Sequence, residues 1–481
     1  MIQCILMLVM LLVVPGCMMG PHYKRPVVAV PQKYAQYPED SVTMVAHKLT
    51  TGWEIFQDEC LKKVLDQAVA RNLDLQIALE RIEQFRAQYL IERAKLLPEV
   101  NALIEANKSR NRLNFLQDGV STQQVGANDL SFSIFRVGLE TIWEIDFWGR
   151  IRHARNAAYN HYEAQIEDAR DIYLLLLSNT ASSYLDIQTL ETTTALRKQR
   201  VGIDGALLVL AQDRFTAGLT SEIEVREIEA QLEESKKLLV ILQTLLVTTR
   251  NGLAILLGQL PEELMEPSEC TKPRGVSQPR IEPTLGLPSD LLLRRPDIRK
   301  AERLLASTTE HVGEAYANYF PRFSLLGTVG ALSPCLSTLF NSGGLQWFIG
   351  QSTVWPIITF GRLRFNLEAA QSVERQALLE YAQTVLKAFG DVEDSLITYF
   401  NHKEQVAFIQ KKLKAVTRDR DLIEHRFKAG LTDTLQFLLA EKNRIIVEEE
   451  WTDVQRDFSV SAVLLYKALG GGWSDNDSGI E

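Results

Sequence analysis

The chain has 481 residues, 46% of them hydrophobic, with a net charge of −9 and an isoelectric point near 5.5. That length and apolar content fit a globular protein of two or three domains rather than a disordered one. The acidic balance, with no basic run, argues against a nucleic-acid partner, because a duplex binder needs a clustered positive field.

Residues 1–16, "MIQCILMLVMLLVVPG", form an apolar run too short for a confident membrane span, and it ends in a small residue before Cys17. This is the pattern of a secretory h-region, so an exported protein is expected. "VVPGC" also resembles a lipoprotein cleavage box with Cys17 as the lipidated residue; a simple signal peptide with an incidental cysteine is the other reading. The five cysteines (Cys4, Cys17, Cys60, Cys270 and Cys335) have neither metal-ligand spacing nor a dense disulfide pattern. Residues 17–57 then form an N-terminal segment ahead of the first helical pattern.

A helical pattern over about 58–95 is broken at Pro98, since a proline ends or kinks a helix. Two stretches of period-two alternation follow, at about 99–110 and 132–145. Val100, Ala102, Ile104 and Ala106 alternate with polar residues in the first, and Phe135, Val137, Leu139, Trp143 and Ile145 in the second. Strands of about ten residues with one apolar face and terminal aromatics match membrane-barrel strands, although a sandwich hairpin shares the alternation. From Gly149 to 257 the pattern is helical, with heptad-like apolar steps at Val225, Ile228, Leu232, Leu239, Leu242, Leu246, Leu253 and Leu256. An arm of about 50 residues spans roughly 75 Å, longer than a compact domain needs.

"RFTAGLT" at 214–220 interrupts that helix, and "RFKAGLT" at 426–432 repeats it at an offset of 212. Other landmarks share the offset: Trp143 with Trp355, Gly149 with Gly361, Arg150 with Arg362, Arg152 with Arg364, and Leu257-Gly258 with Leu469-Gly470. Upstream the offset is 223, pairing Asp74 with Asp297 and "LLPEV" (96–100) with "YFPRF" (319–323), so the first half carries a longer loop between 107 and 131. The chain is thus two copies of one unit. The first repeat is assigned to 58–270 and the second to 290–472, separated by a linker at 271–289 and followed by a flexible tail at 473–481. The second repeat has its own helix at 290–319, strands at about 322–332 and 345–357, and a helical hairpin at 361–470. In both motifs Gly218 and Gly430 suit a helix-closing left-handed turn, and Ser221 with Glu224, like Asp433 with Gln436, has capping-box spacing. The motif reads as a hairpin tip: a docking surface, or merely a turn.

Four amphipathic strands do not close a membrane barrel, and open edges are not tolerated in lipid. Three chains supply twelve strands around a water-filled lumen, whereas two leave a lumen mostly filled by side chains. A homotrimer is therefore expected: a mainly α protein with a transmembrane β-barrel, four strands per chain, continued out of the membrane by a long α-helical coiled-coil barrel, which the resemblance given next implies is periplasmic.

With "GCMMGPHYKRP" (16–26), "GLPSDLLLRRPDIRKAE" (286–302) and "LYKALGGGW" (465–473), the chain resembles the TolC-like outer-membrane efflux proteins, especially the lipidated branch that works with resistance-nodulation-division pumps. The resemblance covers nearly the whole chain. It implies a non-enzymatic trimeric channel tunnel in the outer membrane, lipid-anchored at Cys17, coupled to a periplasmic adaptor and an inner-membrane transporter of that class. It also implies adaptor docking at Gly218, Leu219, Thr220, Gly430, Leu431 and Thr432. Members of the family constrict the tunnel with a tyrosine in the motif and aspartates about three turns on. Here the corresponding residues are Phe427 and Leu439, with Glu441 close by, so an apolar constriction and plain helix packing are both open.

Trp143, Arg150, Trp355 and Arg362, together with Trp148, Trp347, Arg152 and Arg364, suit a membrane boundary; core burial for the tryptophans and helix-surface charge for the arginines are the alternatives. No metal or organic cofactor is expected beyond a covalent lipid. The seven histidines form no ligand set, and His153 and His161 read as polar-face residues. A passive export duct for small molecules is the favoured function; a type I secretion duct and a lipid-anchored coiled-coil spacer without a pore are the alternatives. The four alternating stretches favour a duct, because a spacer has no use for them.

Overall fold

The computed structural model describes residues 18–26, 55–112, 129–262, 275–279, 291–341 and 343–471. The signal peptide, Cys17, the C-terminal tail, most of residues 17–57 and of the linker, and 113–128 in the longer first-half loop lie outside these.

Helix α1 (Glu59–Arg71) is followed at once by α2 (Leu73–Ala94), so the single helical pattern expected at 58–95 is two helices. The break lies at Asn72, whose Oδ1 accepts from the Leu75 N–H at 2.9 Å and caps the second helix. The second repeat breaks at the corresponding place, between a single turn α5 (Leu291–Arg294) and α6 (Pro296–Ala317). Pro296 opens α6, where a missing N–H costs nothing.

Strands β1 (Glu99–Arg112), β2 (Asp129–Ile145), β3 (Arg322–Ser333) and β4 (Leu345–Val354) form one antiparallel sheet in the order β1-β2-β3-β4. The last strand ends three residues before the expected 357, just ahead of Pro356, which has no N–H to give a ladder.

The helical arms are α3 (Arg150–Thr216) with α4 (Glu222–Leu256), and α7 (Arg362–Lys428) with α8 (Thr434–Ala468). Their lengths, 67 and 35 residues, are identical in the two halves. Each junction is a glycine with positive φ, and all three recur at the 212 offset: Gly149 and Gly361 (+86° and +88°), Gly218 and Gly430 (+71° and +70°), and Gly258 and Gly470 (+63° and +68°). Among the described helices, α4 is long and apolar enough to cross a membrane by length and composition. That is not a property of the repeat, because α8 has Thr452, Asp453 and Asp457 where α4 has Val240, Ile241 and Leu245.

The chain compacts into two units that cut across the repeats. One gathers 83–163 and 303–379 with the N-terminal residues to 26; the other gathers 27–82, 164–302 and 380–481. The first contains the sheet. Its helical part buries His153, which is fully enclosed and not on a polar face as the sequence reading had it. Its Nδ1 lies 2.6 Å from Glu310 Oε2 and its Nε2 3.1 Å from the Met19 carbonyl, while Gly313 leaves room for the ring. Met19 N–H in turn donates to Trp148 O at 3.0 Å, so the residues after Cys17 are held on this helix pair.

In the second unit, Leu61, Leu65, Leu185, Val392, Leu396 and Leu465 lie in one apolar core. Cys60 borders this core and is disulfide-bonded, its partner lying outside the described residues. Ionic rungs join α3 to α8: Arg197 and Arg200 to Glu449 (2.8 and 3.4 Å), Lys442 to Asp204 (2.7 Å) and Arg456 to Asp186 (2.6 Å). The Glu449 and Asp204 pairs are largely buried and the Asp186 pair is half-exposed; such pairs add little net stability, but a shifted register would strand a charge.

Asp58 ties this unit's loops together. It caps α1 through the Cys60 and Leu61 N–H groups and accepts from Tyr184 (3.1 Å) and Ser277 (2.5 Å), the latter a residue of the inter-repeat linker. Burial pushes its carboxyl up, but the hydrogen bonds from Ser277, Leu61, Cys60 and Tyr184 outweigh it and leave the pKa below the usual value. Asp58→Ala is expected to cost about 2 kcal/mol, a helix cap plus two stranded hydroxyl partners, read as a lowered urea midpoint of the purified protein.

Candidate functional site

The sheet segregates its side chains by face. Cross-strand partners share a face, and the register pairs Ala102 with Leu139, Ile104 with Val137, Leu139 with Val329, and Val329 with Trp347. The opposite face pairs Asn101 with Glu140, Glu105 with Arg136, and Glu140 with Thr328. One side of the sheet is therefore apolar across all four strands and the other largely polar. Ile104, Ile349 and Trp347 are 79%, 77% and 73% exposed, so no described residue covers the apolar face there.

At the end of the sheet, two tryptophans singled out by the sequence make equivalent contacts. The Trp143 indole N–H donates to Leu96 O at 2.9 Å and that of Trp355 to Tyr319 O at 3.1 Å; the donors are related by the 212 offset and the acceptors by the 223 offset. Neither they nor Trp148 and Trp347 belong to the buried core. The arginines diverge. Arg150 forms a bidentate pair with Glu144 (3.0 and 2.9 Å to its two oxygens), and Arg152 binds Asp146, whose carboxylate also accepts from the Ile151 and Arg152 N–H groups at the start of α3. In the second half those acids are replaced by Pro356 and Ile358; Arg362 is exposed and Arg364 pairs with Glu368 on its own helix.

The two tips have the same backbone hydrogen bonds. Gly218 N–H donates to Phe215 O and Leu219 N–H to Arg214 O (3.0 and 2.8 Å); Gly430 donates to Phe427 O and Leu431 to Arg426 O (both 2.9 Å). This double bond closes a helix on a left-handed glycine. The next helix starts on Ser221, which accepts from the Glu224 N–H, and on Asp433, which accepts from the Gln436 N–H. The expected capping box is modified: Glu224 and Gln436 accept from the hydroxyls of Thr220 and Thr432, one residue before the cap. The threonines are thus spent on the turn, while Leu219 and Leu431 stand out, each 70% exposed.

Phe427 stacks on Phe437 across the hairpin, centroids 5.2 Å apart and 9° from parallel, a partner the sequence reading did not single out. Leu439 is about half exposed. Glu441 is held by Arg420 (2.5 Å) and Arg444 (2.8 Å), and Arg420 also reaches Glu424 and lies over the Phe437 ring. Burial raises the Glu441 pKa, but the bonds from Arg444 and Arg420 win and set it below the usual range. Glu441 is therefore charge-paired by arginines of its own chain.

A family model, "Outer membrane efflux protein", matches residues 64–259 and 287–471, one match in each repeat. The chain is 31% identical over 472 residues, 96% of its length and 97% of the relative's, to the toluene efflux pump outer membrane protein TtgI of Pseudomonas putida. It is 27% identical over 469 residues to the cation efflux system protein CusC of Escherichia coli, covering 96% and 97% of the two chains. Its fold is similar to the open state of the Neisseria gonorrhoeae MtrE outer membrane channel, at 28% identity and TM-score 0.81, over 96% of this chain and all of that one.

A carboxylate whose folded-state pKa is depressed stabilises the fold above its unfolded value of about 4.3, and that contribution is lost as pH falls through the folded-state value. Glu441→Gln is therefore expected to lower stability at neutral pH by on the order of 1 kcal/mol, read as a lowered thermal midpoint, and the difference from wild type is expected to shrink below about pH 4.

Proposed function

Given that the chain belongs to the outer membrane efflux protein family, we propose that three copies close their sheets into one twelve-stranded barrel and form the passive outer-membrane exit duct of a tripartite efflux system. The observation that carries this is the segregation of the four-stranded sheet into an apolar and a largely polar face, with the outer edges of β1 and β4 unpaired among the described residues. Lipid tolerates the first face; water in a lumen suits the second; neither tolerates the edges.

In this reading the long helical hairpins stand in the periplasm. The exposed Leu219 and Leu431 at their tips supply apolar contacts for a periplasmic adaptor, which links the duct to an inner-membrane transporter of the resistance-nodulation-division class. Thr220 and Thr432 shape the turns rather than reaching outward. The duct does no chemistry: it lowers a transfer barrier, and cargo is chosen by the inner-membrane partner, in keeping with relatives named for toluene and for cations. A lipid on Cys17 anchors the chain, and Met18–Gly20 then lie against α3.

The purified protein is expected to give stepwise conductance in planar bilayers; a silent bilayer at every voltage would overturn the duct. Crosslinkers placed at residues 219 and 431 are expected to trap an adaptor, and Cys17→Ser is expected to abolish the mass increment of acylation on the N-terminal peptide.

A further inference from the structure

The strap that follows Cys17 is gripped at both backbone groups of Met19. Its N–H donates to Trp148 O at 3.0 Å, and its carbonyl accepts from His153 Nε2 at 3.1 Å. A carbonyl only accepts, so Nε2 carries a hydrogen, and Glu310 Oε2, 2.6 Å from Nδ1, fixes the ring from its other side. Three glycines make the room. A Cβ on Gly149 would lie 2.8 Å from the Met18 side chain, one on Gly20 2.8 Å from the Gly313 backbone, and one on Gly313 would overlap the His153 ring. Gly20 also has φ +140°, which a side chain disfavours.

This seat occurs once in a duplicated chain. At the two repeat offsets the counterparts of His153, Glu310 and Gly313 are Phe365, Ala87 and Leu90, which offer no hydrogen to a carbonyl and no gap for a strap. Duplication kept the helices, but one strap has one seat.

Its place in the fold is specific. Because α3 follows β2 and α6 precedes β3, the seam between the two helices continues into the central strand pair β2–β3. Arg150 identifies the two sides of that seam. It binds Glu144, which shares the polar face of β2 with Glu140 and Arg136, and it lines a cleft with Ser307, His311 and Glu314. None of Gly149, His153, Glu310 and Gly313 lines that cleft, and Glu310 and Gly313 stand about 100° around α6 from His311 and Glu314. The strap is therefore on the side of the apolar face.

We infer that the seat built by His153, Glu310 and Gly313 aims the lipid on Cys17 along the apolar face of β2 and β3. This rests on the acylation proposed above and adds where the lipid lies and what holds it there. Between Cys17 and Ile55, where the chain is next described, there are 55 − 17 = 38 steps, a tether reaching up to about 130 Å when extended. The seat shortens that reach to the single step from Met18, which packs on Gly149 at the arm-side end of β2.

The test uses the full-length protein in native membranes and trypsin, which cuts after Lys24 and frees the N-terminal peptide. His153→Ala and Gly20→Ala are each expected to release that peptide at least tenfold faster than wild type, with the other fragments unchanged. Gly20→Ala disturbs only the strap, so it reads the seat even where His153→Ala fails to fold; release from it at the wild-type rate would overturn the seat. The mass of the freed peptide reads acylation separately. A bare peptide, released at rates that still depend on Gly20, would overturn the lipid on Cys17 and its aiming while leaving the grip on Met19 standing. To place the lipid, the producing cells are fed a fatty acid bearing a diazirine, and adducts between the Cys17 lipid and the protein are mapped after irradiation. Adducts at least threefold denser on β2 and β3 than on β1 and β4 are expected; an even spread, or adducts on the helical arms, would overturn the aiming.

Discussion

An unpaired strand edge is a row of backbone N–H and C=O groups that water satisfies and hydrocarbon does not, each unmet group costing several kcal/mol in lipid. The sheet ordered β1-β2-β3-β4 has two such edges, one from each repeat. Everything else about it is suited to a bilayer: one apolar face, one largely polar face, and tryptophans at the strand ends whose N–H groups are already satisfied by carbonyls. The chain is therefore complete in its faces and incomplete in its edges. Association with other copies is the way to satisfy the edges without giving up the faces.

Duplication supplies the means. A repeat that pairs its second strand with the first strand of the next repeat does so equally well within a chain and between chains. The helix lengths, the left-handed glycines and the hairpin registers have been kept residue for residue. What has diverged is the junction from sheet to arm. After β2 it is held by charge, with Asp146 capping α3 and Glu144 binding Arg150. After β4 the corresponding residues are Pro356 and Ile358, and the junction is apolar and exposed. The first junction is satisfied by its own chain, whereas the second has greasy surface to cover.

The helical arms are held by two kinds of interaction with different consequences. Apolar packing of residues such as Leu396 and Leu465 supplies the stability, being proportional to area and indifferent to register. The rungs of Arg197 and Arg200 with Glu449, and of Lys442 with Asp204, are sensitive to register. Near the tip of the second hairpin, Arg420 and Arg444 engage Glu441, and the aromatic pair Phe427 and Phe437 closes the space between the helices.

Much of this was legible in order along the chain. Period-two alternation marked all four strands, glycine and capping spacing marked both tips, and the offsets of 212 and 223 exposed the duplication, because all of these are local or comparative properties of residues. Buried His153 was misread as surface because its cover comes from Met19 and Glu310, more than a hundred residues away in sequence. Phe437 was missed because its partner lies across a turn rather than on its own helix face. The sequence by itself determined which elements occur and in what order, which strand faces are apolar, and that the architecture occurs twice. Only the tertiary structure decided that β2 pairs with β3, that the compact units mix the two repeats, and which charges meet, since backbone and ionic pairing depend on distances between residues that no local pattern records.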